Sequence, residues 1–285
     1  MTAHPTTLVT GATGTTGSRV TAGLVTRGHR VRAASRGARP LPGAEPVRFD
    51  WYDPACFGAA LTGADRVYLV PPVGDPDPAA TMLPFLREAR AAGVRRAVLL
   101  SSSAIPEAGP GAGAVHQALP GLFPQWAVLR PSWFMQNFTG AQADARVVPG
   151  EHGKRVLVSA TGTGRIGFVD ADDIAAVAVQ ALTGDRAPHT DLVLTGPQAL
   201  GYDDIAAVLT EVTGRPVTHR ELTFEQMRDH LAAFMPSEFA AILAGMDRAI
   251  AEGAEARVTD TVRQLTGRPP HDFRTVALRE LSGAR

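Results

Sequence analysis

Three glycines, Gly11-x-x-Gly14-x-x-Gly17, are the residues with the most definite chemistry in this chain. Glycine lets a backbone turn sharply and approach a ligand with no Cβ in the way, and a helix starting there offers unpaired N–H groups to an anion. Thr13 and Thr16 add hydroxyls to the same turn. The apolar Leu8-Val9 precedes it and a helix-patterned stretch runs on to about Arg27. Strand before and helix after is the context a dinucleotide pyrophosphate site requires; without it the trio would be an ordinary glycine-rich turn. Chains that bind NAD usually carry an Asp or Glu about twenty residues further on, to take the ribose 2′-hydroxyl. Here the sequence reads Ala34-Ser35-Arg36, and the next acid is Glu45. A hydroxyl and a guanidinium suit a 2′-phosphate, which arginine grips in a planar two-point geometry. The expected cofactor is therefore NADP, as NADPH, with Arg39 assisting; the alternative for Arg36 is a solvated surface arginine.

Two further groups complete the expected cofactor side. Asp50, in Phe49-Asp50-Trp51, can accept a hydrogen bond from an adenine amino group with Trp51 covering the same edge, or it can be a simple turn residue. Val70, Pro71 and Pro72 supply an apolar wall near the adenine ribose. On the substrate side, Trp133, Phe134, Met135 and Asn137 offer aromatic and thioether surface for a planar, even cationic, molecule. Core packing is the rival for Phe134 and Met135.

The elements that must position these groups follow from the rhythm of the first 130 residues. Apolar runs at Arg30–Ala34, Val47–Phe49, Arg66–Val70, Ala97–Leu100 and Trp126–Leu129 are each followed by a polar or turn-forming residue, with helical stretches such as Ala79–Ala92 between several of them. Such runs suit strands buried on both faces, and the β-α-β alternation predicts an α/β fold: a doubly wound parallel sheet of Rossmann type with ligands at the carboxyl ends of its strands. Two apparent strands, Arg155–Val158 and Asp191–Leu194, flank a helix near Asp172–Leu182, and helices follow near Tyr202–Thr213, Phe224–Phe234 and from about Glu238. The expectation is a single NAD(P)-binding domain over 1–285, its core sheet spanning about 6–185 and a smaller, mostly helical substrate-binding cap about 186–285. The apolar stripes Phe224, Met227, Leu231 and Phe239, Ile242, Met246 have helical spacing and read as core, or as a lid over substrate.

Composition narrows the function classes. The chain of 285 residues carries 28 basic and 28 acidic groups, so no basic field argues for nucleic acid or an anionic membrane. The partner expected is a small-molecule substrate. Cys56 is the one cysteine, which excludes an internal disulfide and suits a reducing compartment. No signal peptide or apolar span is legible, so a cytoplasmic location is expected. Asp170, Asp172 and Asp173 read as the acidic start of a helix, and no metal site is expected.

Together these residues resemble the atypical short-chain dehydrogenase/reductases of the NmrA-like branch. The shared features are Leu-Val-Thr-Gly-Ala-Thr-Gly-Thr-Thr-Gly at 8–17, Ser101-Ser-Ser103, and Leu129-Arg130-Pro131, which adds Pro131 to the cofactor-binding set. Phe49-Asp50-Trp51, Val115-His116, the block from Trp126 to Phe138 and the late Pro270-His-Asp-Phe273 are most similar to the ergot-alkaloid-biosynthesis type, the agroclavine dehydrogenase and festuclavine synthase-like reductases. Quinone oxidoreductases, triphenylmethane reductases and a dinucleotide-sensing regulator are further relatives of the branch. The resemblance implies a catalytic serine at Ser103, unless Ser101 or Ser102 points inward. His116 then lies about where such enzymes place a tyrosine, as a proton donor or as a helix-surface histidine.

One departure is decisive. The superfamily usually works through Tyr-x-x-x-Lys, in which the lysine lowers the pKa of a proton-donating phenol. Here Tyr52, Tyr68 and Tyr202 are followed four places on by Cys56, Pro72 and Ala206, and Lys154 is the one lysine. The pair cannot form. Reversible alcohol oxidation is disfavoured, and hydride transfer to a conjugated electrophile such as an iminium ion or quinone is the chemistry left. A dinucleotide-sensing regulatory protein without turnover is the alternative.

Overall fold

The computed structural model describes residues 5–75, 77–140, 143–150 and 154–281. Its contacts divide the chain into two compact units, one holding the chain up to Pro131 together with Ala171–Val193, the other Ser132–Asp170 together with Leu194 onward. The sequence alone predicts a division near 185. The structure instead assigns 132–170 to the second unit, because the strand at 155–159 pairs with partners on that side rather than joining the main sheet.

The first unit is built on β1 (Thr6–Val9), β2 (Arg30–Ser35), β3 (Glu45–Arg48), β4 (Arg66–Leu69), β5 (Arg96–Leu100) and β6 (Gln125–Pro131). With β9 (Asp191–Leu194) they form a seven-stranded sheet in the order β3-β2-β1-β4-β5-β6-β9. The pairings among the first six strands are all parallel. Every residue of β1 is buried, as expected of a strand covered on both faces. The order reverses direction between β1 and β4, and an open α/β sheet leaves its crevice at that point.

The connecting helices are α1 (Thr15–Thr26), α2 (Phe57–Leu61), α3 (Pro78–Ala91), α4 (Ala112–Leu122) and α5 (Ala171–Thr183). Helix α1 buries Thr16, Val20, Thr21 and Leu24, an i, i+4, i+5, i+8 stripe, and packs on α5. It ends where Gly28 takes φ +77°, a left-handed turn that glycine adopts without strain. Helix α3 begins at a Pro after Asp77, whose side chain accepts from the Ala80 N–H at 3.1 Å, and it buries Met82, Phe85, Leu86 and Ala89.

The second unit contains a small sheet of β7 (Val147–Pro149), β8 (Arg155–Ser159) and β10 (Val217–Glu221), with β8 central. Its helices are α6 (Tyr202–Thr213), α7 (Phe224–Leu231), α8 (Ser237–Ala251), α9 (Thr261–Thr266) and α10 (Phe273–Leu281). Strand β10 was not foreseen: Val-Thr-His-Arg-Glu has little apolar character and occupies a sheet edge. The core centres on Phe138, whose ring meets those of Phe168, Tyr202 and Phe273 edge-on at 5.2–5.6 Å. Arg146 makes a two-point bond to the fully buried Asp247 at 2.6 and 2.8 Å, so neither charge is buried alone. Among the described residues, no helix is long and apolar enough to cross a membrane.

Candidate cofactor site

The crevice between β1 and β4 is held open by Thr10. Its N–H and its hydroxyl both donate to the Tyr68 carbonyl, at 3.0 and 3.1 Å, while its Oγ1 accepts the Val70 N–H at 2.8 Å. The two strand ends are thereby joined by one buried side chain, and the backbone is free to turn at once. Gly11 turns it at φ +60°, where an added Cβ would lie 3.1 Å from the Val70 Cβ. The Gly14 N–H returns to the Gly11 carbonyl at 2.9 Å. Gly17 is required for a different reason. A Cβ there would lie 2.1 Å from the Gly11 oxygen, so helix and turn are in direct backbone contact. Helix α1 opens at Gly14 with no side-chain cap and no acid in its first turn, which leaves its positive end available to an anion.

The turn after β2 is shaped by Ser35. Its Oγ accepts the Arg39 N–H at 3.1 Å, and its carbonyl accepts from Ala38 and Phe49 at 3.1 and 3.0 Å. Arg36 projects from this turn, exposed, and among the described residues no carboxylate pairs with it. After β3, Asp50 is half-buried: Oδ1 accepts the Tyr52 N–H at 3.0 Å, and the Asp50 N–H donates to the Cys56 thiol at 3.3 Å. Both roles foreseen for Asp50 are thus compatible, since one oxygen shapes the turn and the second can serve a ligand. Cys56 is buried behind this turn. Trp51 donates from Nε1 to the Val70 carbonyl at 3.0 Å and meets Phe49 and Phe85 edge-on, at 4.8 and 5.2 Å. It is a strut between β3 and β4 more than a loose cover.

These groups surround a cavity of about 440 Å³. Its lining includes Gly11, Thr13, Gly14, Ser35, Arg36, Asp50, Trp51, Val70, Pro71 and Pro72, ten of the residues singled out from the sequence. Tyr52 and Val73 also line it and were not foreseen; their signal was no more than adjacency to the motif. Thr10 was missed too, although a β-branched hydroxyl between strand and glycine suits a strand-end clamp. Thr16 and Gly17 are buried in the underside of the turn rather than on the cavity wall.

The remaining expected residues lie elsewhere. Pro131 is buried at the end of β6, where its carbonyl accepts the Ser103 N–H at 2.9 Å. Ser103 is buried, and its own carbonyl accepts from Arg130 at 3.0 Å. Ser102 Oγ accepts the Ala104 N–H at 3.3 Å, whereas Ser101 Oγ is a buried hydroxyl with no partner among the described residues. His116 does not line the cavity. Its ring lies 6.4 Å from that of Trp126, near the start of β6, with Nδ1 unpartnered among the described residues. It is a buried residue of α4, not the helix-surface histidine that was the alternative.

In the second unit, Met135 is buried in the core and Trp133 packs against it. Phe134 bridges to Val169 through its backbone, and Asn137 ends a short 3-10 turn. Asp170 is buried and its carboxylate is taken up by Gln136 at 2.8 Å, Arg279 at 3.0 and 3.1 Å, and His271 at 3.0 Å. The late Pro-His-Asp-Phe motif thus fastens α10 beside the Trp133–Asn137 segment.

Comparison with known proteins agrees with this geometry. A family model described as NAD(P)H-binding matches residues 11–185. The uncharacterized oxidoreductase YesF of Bacillus subtilis (strain 168) is 44% identical over 267 residues, covering 93% of this chain and 92% of that protein. Agroclavine dehydrogenase of Claviceps fusiformis is 36% identical over 274 residues, 93% of this chain and 94% of its own. Among solved structures, the NADPH-dependent quinone oxidoreductase of Escherichia coli complexed with NADPH shares the fold, with a TM-score of 0.78 at 23% identity over 96% of this chain and 99% of that one. The chain belongs to the NAD(P)H-binding family, as an oxidoreductase related over nearly its whole length to the agroclavine dehydrogenases.

Proposed function

We propose that the protein is an NADPH-dependent reductase that delivers hydride to a conjugated carbon electrophile, with no tyrosine–lysine pair to supply a proton. The observation that carries the reading is the lining of the β1/β4 cavity, where Gly11 and Gly14 leave room for a pyrophosphate and Arg36 stands where an NAD site has a carboxylate. The residues fit the dinucleotide: Gly17 admits no Cβ, the α1 terminus carries no competing acid, and Arg36 and Ser35 can hold a 2′-phosphate. Asp50, whose Oδ1 takes the Tyr52 N–H, would accept from the adenine amino group through Oδ2, with Val70 and Pro71 behind the ribose. The quinone oxidoreductase of the same fold carries NADPH, which supports the choice of dinucleotide. When bound, the nicotinamide supplies hydride to an electron-poor carbon.

The protein's own tyrosines support the substrate class. Tyr68 and Tyr202 are buried, and burial raises both phenols well above their ordinary pKa. Tyr52 is at the adenine-side rim of the cavity. None is positioned as the usual acid, so the acceptor must take hydride at carbon with little proton delivery. Ser101 and Ser103 are the proposed substrate-side groups of the first unit. Agroclavine dehydrogenase, by its name, acts on agroclavine, a small molecule, which supports a small-molecule acceptor here.

NADPH and NADH consumption against cyclic iminium ions, quinones and triarylmethane dyes tests the reading. Turnover with NADPH on at least one class is expected, and Arg36→Ala should weaken NADPH about tenfold while leaving NADH within about twofold. Tight NADPH binding without turnover on any of them would favour a sensor, and equal use of NADH would remove the 2′-phosphate assignment.

A further inference from the structure

The cavity holds one large aromatic side chain that neither the glycine turn nor the hydride chemistry employs. Tyr52 lines its outer rim and is 66% exposed, yet its hydroxyl donates to Asp75 Oδ2 at 3.0 Å. Asp75 belongs to the opposite lip, the segment that leads from β4 to α3. It is firmly held there: its carboxylate also accepts from Thr81 Oγ1 at 2.8 Å and from the Asp77 N–H at 2.9 Å. Thr81 is in the first turns of α3, so the tether ends on a helix rather than on a free loop. Deeper in the same crevice, Trp51 reaches across to the Val70 carbonyl at 3.0 Å. Adjacent residues thus bridge the same two lips twice, Trp51 at the floor and Tyr52 at the rim.

A phenol ring that is two-thirds exposed and fixed at both ends of its side chain presents a flat apolar face at low further entropic cost. The group proposed for this end of the cavity, beyond Arg36 and beside Asp50, is a purine. We propose that Tyr52 is a cofactor-retaining residue whose tethered ring covers the adenine, and that Asp75 is a positioning residue acting through it. The inference rests on the dinucleotide reading of the cavity, and it assigns to the Tyr52–Asp75 pair the rate at which the nucleotide leaves. Burial and its three donors have opposite effects on Asp75; the donors win, and its carboxyl is held below the ordinary carboxylate value. Asp75 therefore stays ionised, and the tether charge-assisted, throughout the neutral range.

Calorimetric binding of 2′,5′-ADP and of ADP to the full chain, with stopped-flow dissociation of NADPH, tests the pair. Tyr52→Ala should weaken both nucleotides about tenfold, the low end for loss of a base-stacking aromatic, through faster dissociation with association changed less than about twofold. Tyr52→Phe keeps the ring and loses the tether, and about a threefold faster release is expected; Asp75→Ala should add nothing in that background. Binding by Tyr52→Ala within about twofold of wild type for both nucleotides would overturn the inference, as would additive effects of Tyr52→Phe and Asp75→Ala. If wild type binds ADP as well as 2′,5′-ADP, the 2′-phosphate assignment fails while the Tyr52 result still decides this one, because both probes carry adenine. If wild type binds neither, both fall.

Discussion

Gly17→Ala is the substitution whose outcome the geometry determines most closely. The new Cβ would lie 2.1 Å from the Gly11 oxygen, 2.7 Å from the Gly11 carbonyl carbon and 3.0 Å from the Ala12 Cα. All three are backbone atoms, so no side chain can swing away; the turn or the helix must retreat by about an ångström to restore contact distance. Overpacking of this kind costs about 1–3 kcal/mol, against which alanine's helix preference returns about 1 kcal/mol. The net loss is about 1 kcal/mol, a fall of roughly 2–4 °C in Tm for a chain near this size. The effect on ligand binding should be larger than on stability, because the displaced N–H groups are the ones offered to the pyrophosphate; at least about a tenfold rise in NADPH Kd is expected, worth about 1.4 kcal/mol. Thermal unfolding with and without NADPH, together with fluorescence titration, measures both quantities. A Gly17→Ala protein that is as stable as wild type and binds NADPH equally well would refute the close-contact account of the motif.

Gly245 is inside α8 with nothing within 4 Å of its added Cβ and no positive φ, so Gly245→Ala should stabilise the chain by about 1 kcal/mol in denaturant unfolding. Asp272 accepts the Thr275 N–H at 2.9 Å and its hydroxyl at 2.8 Å; burial pushes its carboxyl up, but these bonds outweigh it and hold the pKa below the ordinary value. A depressed folded pKa contributes stability above the unfolded value and loses it as pH falls through the folded one, so Asp272→Ala should cost about 1 kcal/mol at about pH 7 and nothing at strongly acidic pH, read as the Tm difference against pH. His116→Ala should lower Tm through lost packing on Trp126 while kcat stays within about twofold; roughly a hundredfold fall in kcat in a folded protein would restore His116 as the proton donor.

What the sequence made legible was what local rules encode. Apolar runs buried on both faces, the glycine spacing and the helix after it depend on neighbours a few residues away, and the strands β1 to β6 and ten of the cavity residues follow from them. Contacts across long separations were not legible. Trp51 was expected as a cover for adenine, but Val70, 19 residues on, takes its N–H and turns it into a strut. Tyr52 matters through Asp75, 23 residues on, and nothing in either residue type announces the pairing. Residues 132–170 fell on the wrong side of the expected division because β8 looks like any core strand until its partners at 147–149 and 217–221 are known.

The packing of α1 on α5 has a consequence during synthesis. Arg19 of α1 donates from Nε to Asp172 of α5 at 2.6 Å, across 153 residues of chain, and Gly23 lies directly under Val179. At translation rates of about 5–20 residues per second, the glycine turn would wait roughly 8–30 s on the ribosome before the helix that covers α1 is made. During that interval the face of α1 that carries Val20 and Leu24 has no α5 to pack on.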